Sequence, residues 1–243
     1  MRYRTRKGQA SSGEAIGILL LDTAVPFIPG DVANATTYDF PVRFRKVEGF
    51  TVAKAIAKDP SVYPRLRSAA EELVGQGVRA VTGDCGFMAL HQGRLARELS
   101  VPVFLSSLLQ LPFVSHIIGD GAKVGILTAD GRGLDRNLLA EAGAADPGRL
   151  VVEGLESREH FHRFAIAESG ELDAAAVEAE VVDAARGLCD REPSVAALLL
   201  ECSLLPPYAA AVQEAVRLPV FDYVTMIRHV FAAVVRTRFA GYV

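Results

Sequence analysis

Two cysteines are the residues of this chain best placed to do chemistry. Each ends a run of strand-forming residues and directly follows an acidic residue: VRAVTGDC over residues 78–85 and VAALLLEC over residues 195–202. Two thiols on opposite sides of a carbon acid can take a proton from one face and return one to the other, which inverts the stereocentre. Because that reaction needs two groups of similar pKa, Cys85 and Cys202 are candidate acid/base residues.

The chemistry requires surroundings that favour the thiolate, since a free thiol is mostly protonated near neutral pH. We expect a helix to begin right after each cysteine, where its dipole and unpaired N–H groups lower the pKa of the thiol. The same N–H groups would hold a substrate carboxylate and stabilise enolate-like charge. The acidic neighbours Asp84 and Glu201 oppose thiolate formation, so a structural role at the strand ends suits them at least as well.

The two cysteine stretches belong to a longer internal repeat. Pro-Val-Phe follows each cysteine at the same distance, at residues 102–104 and 219–221, and a glycine precedes an aspartate by five positions at both Gly17 and Gly125. Four features in one order indicate two related lobes. We therefore predict a flexible basic arm over residues 1–13, lobe 1 over 14–119 and lobe 2 over 120–243. Whether the final helix of lobe 1 crosses to the other lobe is left open by the sequence.

Apolar runs that alternate with helical periodicity specify the fold class. Residues 16–21 read as a strand buried on both faces, and residues 61–75 and 171–189 have the spacing of amphipathic helices. This alternation predicts an α/β fold of two pseudo-twofold-related, Rossmann-like lobes, each a parallel sheet flanked by helices. Ligands of such sheets bind beyond the carboxyl ends of the strands, where both cysteines fall, so we expect the active site in the cleft between the lobes.

Composition and charge set limits on partners. The net charge of −3 and the pI near 6.0 give no reason to expect nucleic acid binding. Three cysteines make no disulfide framework and suit a reducing cytoplasm, and their spacing lacks the paired pattern of a metal site. The third, Cys189, reads as a small apolar residue of a helix. The apolar stretch 195–212 contains Glu201 and two prolines, which argues against a membrane span.

The doubled motif resembles the aspartate/glutamate racemase superfamily, which includes cofactor-independent amino-acid racemases and hydantoin racemases. The likeness rests on Asp84-Cys85-Gly86 and Glu201-Cys202-Ser203 at the ends of equivalent strands, and it covers the chain from about residue 14. It implies that Cys85 and Cys202 are the two catalytic acid/base residues and that no cofactor takes part.

Six further residues are assigned to the site, two of them by the resemblance. Asp22, at the end of the first strand, corresponds to an acidic residue that orients or activates a thiol, and Thr128 to a position that holds the substrate carboxylate. Thr23 and Asn34 are assigned to substrate contact from the position of their loop. Gly86 and Ser203 are assigned to it as the first residues after the thiols.

The chain departs from the superfamily beside both thiols. Glutamate racemases follow the first cysteine with Asn-Thr and the second with Thr-His, whereas this chain has Gly86-Phe87 and Ser203-Leu204. The reaction type is therefore better supported than the substrate. We predict an isomerase, a racemase or epimerase independent of pyridoxal phosphate that acts at the α-carbon of an aspartate- or glutamate-like amino acid or related carboxylate.

Other functions on the same scaffold stay open. They are a hydantoin racemase, a maleate isomerase-like enzyme that forms a covalent cysteine adduct, an arylmalonate decarboxylase-like enzyme that needs one thiol, and a two-lobe binding protein without catalysis. The partner in each case is a small molecule. The sequence also leaves open a homodimer through the apolar faces of the lobes, and the roles of Arg43, Arg45 and the loop over residues 22–40.

Overall fold

The computed structural model describes residues 2, 8–144 and 146–242. Residues 1 and 3–7 of the predicted basic arm, which include Arg4, Arg6 and Lys7, lie outside the described residues. Within them, the chain forms two parallel sheets of four strands each. None of the helices in this part of the chain is long and apolar enough to cross a membrane.

Both sheets are built in the same order. The first contains β1 (Ile16–Leu20), β2 (Val42–Lys46), β3 (Ala80–Gly83) and β4 (Val103–Phe104), arranged β2-β1-β3-β4. The second contains β5 (Lys123–Thr128), β6 (Leu150–Gly154), β7 (Val195–Leu200) and β8 (Val220–Phe221), arranged β6-β5-β7-β8. Every neighbouring pair is parallel. The predicted doubled α/β fold is confirmed.

Helices connect the strands and cover the sheets. The α-helices are α1 (Val52–Ile56), α2 (Tyr63–Gly75), α3 (Gln92–Glu98), α4 (Leu111–Ile117), α5 (Arg136–Glu141), α6 (Glu159–Phe161), α7 (Ala174–Arg191), α8 (Ala209–Val216) and α9 (Tyr223–Val234). Shorter 3-10 segments span Ala35–Thr37, Pro60–Val62, Gly86–His91, Ser107–Gln110, Pro147–Arg149 and Pro206–Tyr208, and a π-helical turn spans His162–Ile166. Local sequence sets several boundaries: the Asp173 side chain caps α7, and Gly77, with φ of +99°, turns the chain after α2.

The buried core is continuous between the lobes. Val81 of β3 belongs to the same apolar cluster as Val124 and Ile126 of β5. The helix that ends each half also packs on the other half: α4 lies against β5, and α9 packs its Tyr223 against lobe 1. This exchange of helices holds the carboxyl ends of β3 and β7 in fixed relation to each other.

Candidate active site

The two sequence-predicted thiols lie in one cavity. Cys85 stands two positions after the end of β3, and Cys202 stands two positions after the end of β7. Both side chains are unpaired, half-buried thiols, and both line a cavity of about 60 Å³. The carboxyl ends of the two central strands therefore meet at a site for a small molecule, as parallel sheets predict.

Apolar groups form most of the cavity wall. The apolar lining residues are Leu21, Val25, Phe27, Val52, Ala55, Ile56, Phe87, Ala129, Ala165, Ile166 and Leu204. The remaining lining residues besides the thiols are Thr23, Asp84, Gly86, Glu201 and Ser203. The described residues that line the cavity include no lysine, arginine or histidine. Every ionisable group on the wall is therefore a thiol or a carboxyl group.

The backbone after the two thiols differs from the prediction of a helix at each. A 3-10 helix over Gly86–His91 starts directly after Cys85, whereas a turn follows Cys202 and the 3-10 segment Pro206–Tyr208 begins only at its first proline. Proline lacks an N–H group and has a fixed φ, so it suits a first helical turn and moves the helix start away from the thiol. The helix N-terminus expected at Cys202 is therefore displaced to Pro206, the start that the two prolines of the sequence predict.

The environment of both thiols favours the neutral form. Burial raises the pKa of Cys85 and of Cys202, and the nearby Glu201 carboxyl group raises both further. The backbone N–H groups of Phe87 and Leu204 lower the pKa of the respective thiols, but with a smaller effect. The expected lowering by helix N-termini is therefore outweighed, because desolvation of a thiolate in this apolar pocket is the larger cause.

Glu201 has a buried carboxyl group, and one of its two oxygens accepts a hydrogen bond. Its Oε2 accepts a hydrogen bond of 2.8 Å from the Thr128 hydroxyl, while its Oε1 has no hydrogen-bond partner among the described residues. The side chain lies against Gly86, where an added Cβ would stand 1.5 Å from Oε1. Burial raises the pKa of Glu201 to about 7. This carboxyl group thus changes charge near neutral pH, beside both thiols.

Asp84 is the counterpart of Glu201 in lobe 1. The backbone N–H of Leu21 donates to both carboxylate oxygens of Asp84, at 3.0 and 3.1 Å. Burial raises the pKa of Asp84 to about 8. Each acidic residue therefore accepts a hydrogen bond from the end of the neighbouring strand in its own lobe. Asp84 accepts from Leu21, directly after β1, and Glu201 accepts from Thr128, the last residue of β5. Sequence reasoning left their roles open, although their repetition before each cysteine was the available signal.

The structure does not bring Asp22 together with the thiols. Its carboxylate accepts hydrogen bonds from the backbone N–H of Gly49 at 2.9 Å and from Lys46 Nζ at 3.0 Å, and both interactions lower its pKa. Asp22 does not line the cavity. These contacts give it a role in holding the turn after β2, and the carboxyl group near the thiols in lobe 1 is that of Asp84.

Of the other residues predicted to contact the substrate, three line the cavity and two lie behind its wall. Thr23, Gly86 and Ser203 line the cavity. Thr128 is fully buried and donates to Glu201, and Asn34 caps the 3-10 turn Ala35–Thr37 and donates to the Phe27 carbonyl at 2.9 Å. Substrate contact by these residues stays a prediction. Sequence reasoning missed the apolar wall from α1 and from residues 165–166, since no local signal marks it.

The loop after β1 reaches lobe 2. The Thr23 hydroxyl and the Ala24 N–H, the latter at 3.1 Å, both donate to Oε1 of Glu168. Further along the loop, Gly30 lies against Pro207, where a Cβ would stand 2.8 Å from the proline Cα. Gly30 has φ of +100°, so a side chain there would be strained as well as crowded. The loop therefore closes one side of the cavity by contacts across the lobes.

Sequence comparison relates the chain to lyases. No family model matches it. Dimethylsulfoniopropionate lyase 3 of Emiliania huxleyi is 33% identical over 229 residues, which cover 90% of this chain and 59% of that protein. Dimethylsulfoniopropionate lyase of Durusdinium sp. clade D is 31% identical over 215 residues, which cover 86% of this chain and 71% of that protein. The chain thus spans from 45% to 59% of the first three Emiliania relatives.

Solved structures share the fold at low identity. Unliganded arylmalonate decarboxylase superposes with a TM-score of 0.59 at 16% identity, over 93% of this chain and 94% of the other. Allantoin racemase from Klebsiella pneumoniae superposes with a TM-score of 0.58 at 17% identity, over 90% of this chain and 88% of the other. An aspartate racemase homologue from Pyrococcus horikoshii has a TM-score of 0.54 at 18% identity, over 91% of this chain and 99% of the other. The resemblance to the aspartate/glutamate racemase superfamily is confirmed in the fold, and by its sequence the chain belongs to the family of the dimethylsulfoniopropionate lyases.

Proposed function

We propose that this protein is a lyase that eliminates the β-substituent of a small carboxylate, with dimethylsulfoniopropionate as its substrate. The observation that carries the proposal is the pair of unpaired thiols in one small, largely apolar cavity, whose described lining residues include no basic side chain. The kinship with lyases named for this substrate supports it. The isomerase predicted from the sequence is the second candidate.

The proposed reaction needs one base at the α-carbon. A thiolate removes the α-proton, whose acidity the adjacent carboxylate and the sulfonium on the β-carbon both increase. The electron pair of the C–H bond forms the α,β double bond, and the bond between the β-carbon and the sulfonium sulfur breaks. Its electron pair leaves with neutral dimethyl sulfide, and acrylate remains. The proton stays on the sulfur of the cysteine until solvent takes it up.

The site accounts for how a thiol of raised pKa could act as the base. Burial and the Glu201 carboxyl group keep both thiols protonated in the cavity as it stands. A sulfonium group placed near the sulfur supplies the opposite charge, which favours the thiolate. The substrate itself would therefore help to form the base that attacks it, and the apolar wall accommodates its methyl groups.

Racemisation at an α-carbon is the second candidate because both thiols line the same cavity. A racemase needs one thiol on each face of the stereocentre, whereas an elimination needs a single base. The apolar flanks of the thiols, Phe87 and Leu204, offer no hydrogen-bond acceptor to the ammonium group of an amino acid. They fit the methyl groups of a sulfonium better, so the lyase is the first choice.

One experiment separates the two candidates. The protein is incubated with dimethylsulfoniopropionate, and the released dimethyl sulfide is measured by headspace gas chromatography. In parallel, amino acids and hydantoins are incubated in deuterium oxide and α-deuterium is measured by NMR. A lyase should release dimethyl sulfide and leave the amino acids unlabelled. Absence of dimethyl sulfide together with exchange in an amino acid would reject the lyase in favour of the racemase.

Cysteine variants test the assignment of the base. Replacement of the thiol that acts as the base should lower the rate of elimination by about 100- to 10,000-fold, because a general base contributes that much. Of Cys85→Ala and Cys202→Ala, one should therefore show this large loss and the other a smaller one. Cys189→Ala is the matched control, because Cys189 packs in the apolar cluster of α7 away from the cavity. Full activity in both single variants would contradict thiol catalysis.

A further inference from the structure

The free oxygen of Glu201 is unusual for a buried carboxyl group. Glu201 is 1% exposed and lines the cavity, yet its Oε1 has no hydrogen-bond partner among the described residues. A buried polar atom without a partner carries the full cost of its desolvation. The cost is offset when the oxygen takes up a proton or when a ligand supplies a positive charge.

The position of this carboxyl group is fixed from two sides. Thr128 holds Oε2 by a hydrogen bond of 2.8 Å. On the other side the group lies against Gly86, where any Cβ would be within 1.5 Å of Oε1. Position 86 therefore has to lack a side chain for the carboxyl group to reach the start of the segment that follows Cys85. A carboxyl group held this firmly is preorganised for a partner in the cavity.

Asp84 is less suited to a ligand because both of its oxygens accept the Leu21 N–H. The cavity also has no basic side chain of its own among the described residues, so Glu201 has no internal cation to pair with. A pocket whose ionisable groups are all acids favours a ligand that brings a positive charge into it. Two phenylalanine rings, Phe27 and Phe87, line the same space and offer further favourable contact to an onium group.

We infer that Glu201 Oε1 is the counter-ion for the positively charged onium group of the substrate, which makes the site selective for carboxylates that carry a sulfonium or quaternary ammonium group. The inference rests on the proposed function for the kind of substrate and adds the residue that recognises it. Glu201 acts as a specificity residue, and the thiols remain the acid/base groups.

The test uses two ligands of the same shape. One is 3-(trimethylammonio)propionate, which is cationic at its far end, and the other is 4,4-dimethylpentanoate, in which carbon replaces nitrogen. Dissociation constants are measured by calorimetry and by protection of the thiols from iodoacetamide. The wild-type protein should bind the cationic ligand at least about tenfold more tightly, because the attraction between opposite charges is strong in a low-dielectric cavity. Glu201→Gln should remove most of this preference.

Two controls test whether the preference for the cationic ligand depends on the Glu201 carboxylate. Glu214→Gln makes the same change at an exposed residue of α8 and should keep the wild-type preference. In the wild-type protein the preference should also be smaller at pH 6 than at pH 8, because protonation neutralises Glu201, and this measurement needs no variant. Equal binding of the two ligands by the wild type, or an undiminished preference in Glu201→Gln, overturns the inference.

The outcome is separable from that of the proposed function. A preference for the cationic ligand that depends on Glu201, found in a protein that releases no dimethyl sulfide, would retain the counter-ion and reject the lyase. Release of dimethyl sulfide with an undiminished preference in Glu201→Gln would retain the lyase and reject Glu201 as the residue that recognises the onium group.

Discussion

The hydroxyl of Ser203 donates a hydrogen bond to the backbone carbonyl of Asp84, so the residue after one thiol is bonded to the residue before the other. A second serine makes a similar connection: the Ser107 hydroxyl donates to the carbonyls of Leu200 and Glu201, at 3.2 and 3.1 Å. All three bonds run between the lobes and are buried. The relative position of the two thiols is therefore set by hydrogen bonds as well as by packing.

Ser203→Ala should weaken the protein and its catalysis together. The change leaves the Asp84 carbonyl without this donor in a buried place, which costs about 1 to 3 kcal/mol of the free energy of unfolding. Since the bond joins the strand ends, the rate of elimination should fall more than substrate binding does. Urea unfolding and steady-state kinetics measure the two effects.

The control for this change is Ser68→Ala, at an exposed position of α2. It should alter stability by less than about 0.5 kcal/mol and leave activity unchanged. A Ser203→Ala protein with wild-type stability and wild-type rate would show that the bond between the lobes has no part in placing the thiols.

Gly86→Ala should displace the Glu201 carboxyl group. The new Cβ would overlap Oε1, and a fully buried carboxyl group has little room to move, so we expect a loss of about 2 kcal/mol or more in the free energy of unfolding. If the overlap is the cause, Glu201→Ala in the same protein should recover part of the loss. A double-mutant cycle from chemical denaturation measures this coupling.

Gly75→Ala is the matched control for the glycine change. Gly75 ends α2, and apart from its own helix and chain neighbours no atom of the described residues lies within 4 Å of an added Cβ, so alanine should be neutral or slightly stabilising there. Additive effects of Gly86→Ala and Glu201→Ala would mean that the two residues do not compete for the same space.

The repeat of an acidic residue and a cysteine at strand ends was enough to predict the doubled sheet and the meeting of Cys85 and Cys202 in one cavity. It did not predict the contacts of Asp22, because the donors Lys46 and the Gly49 N–H come from the end of β2 and the turn after it, which pack beside β1 only in the folded sheet. The bond from Thr128 to Glu201 likewise depends on the register of β5 against β7.

The sequence also did not predict whether the pKa values of the two thiols are raised or lowered. The local signal, N–H groups after each cysteine, is present at Phe87 and Leu204 and acts in the expected direction. Burial acts in the opposite direction with a larger effect, and it depends on walls contributed by distant segments such as α1. Local sequence therefore indicated one cause of the shift and missed the dominant one.

Glu201 should make the protein less stable as pH rises through the neutral range. Its folded-state pKa of about 7 lies above the ordinary value of 4.5, so the native state holds a proton that the unfolded state has released between these two pH values. The free energy of unfolding therefore falls from pH 4.5 to pH 7. Glu201→Gln should remove this contribution and be more stable than the wild type at pH 8 by about 1 to 3 kcal/mol.

Urea unfolding at pH 5 and pH 8 measures this difference. Asp84 and Asp31, whose pKa values burial raises to about 8 and about 7, contribute in the same direction and remain in the variant, so its dependence on pH should be reduced and not abolished. Glu214→Gln, at an exposed site, should follow the wild type. Parallel pH profiles of the wild type and Glu201→Gln would contradict a buried, titrating Glu201.

Thr128→Val should shift the titration of Glu201 without touching its carboxyl group. The Thr128 hydroxyl donates to Oε2 and lowers the pKa of Glu201, partly offsetting burial. Without this donor the pKa of Glu201 rises further, so less of the carboxylate is ionised at a given pH. The affinity for 3-(trimethylammonio)propionate should then reach its plateau at higher pH than in the wild type, as measured by calorimetry across pH 6 to 9.

Thr82→Val provides the comparison, because Thr82 is also a buried threonine on a central strand but its hydroxyl donates to the Phe104 carbonyl. Its affinity for 3-(trimethylammonio)propionate should rise with pH around the same midpoint as in the wild type, even if the free energy of unfolding falls. A Thr128→Val profile with the same midpoint as the wild type would mean that the binding of the cation does not depend on the ionisation of Glu201. The two threonine variants together therefore separate loss of a buried hydroxyl from loss of the Thr128 hydrogen bond, which lowers the pKa of Glu201.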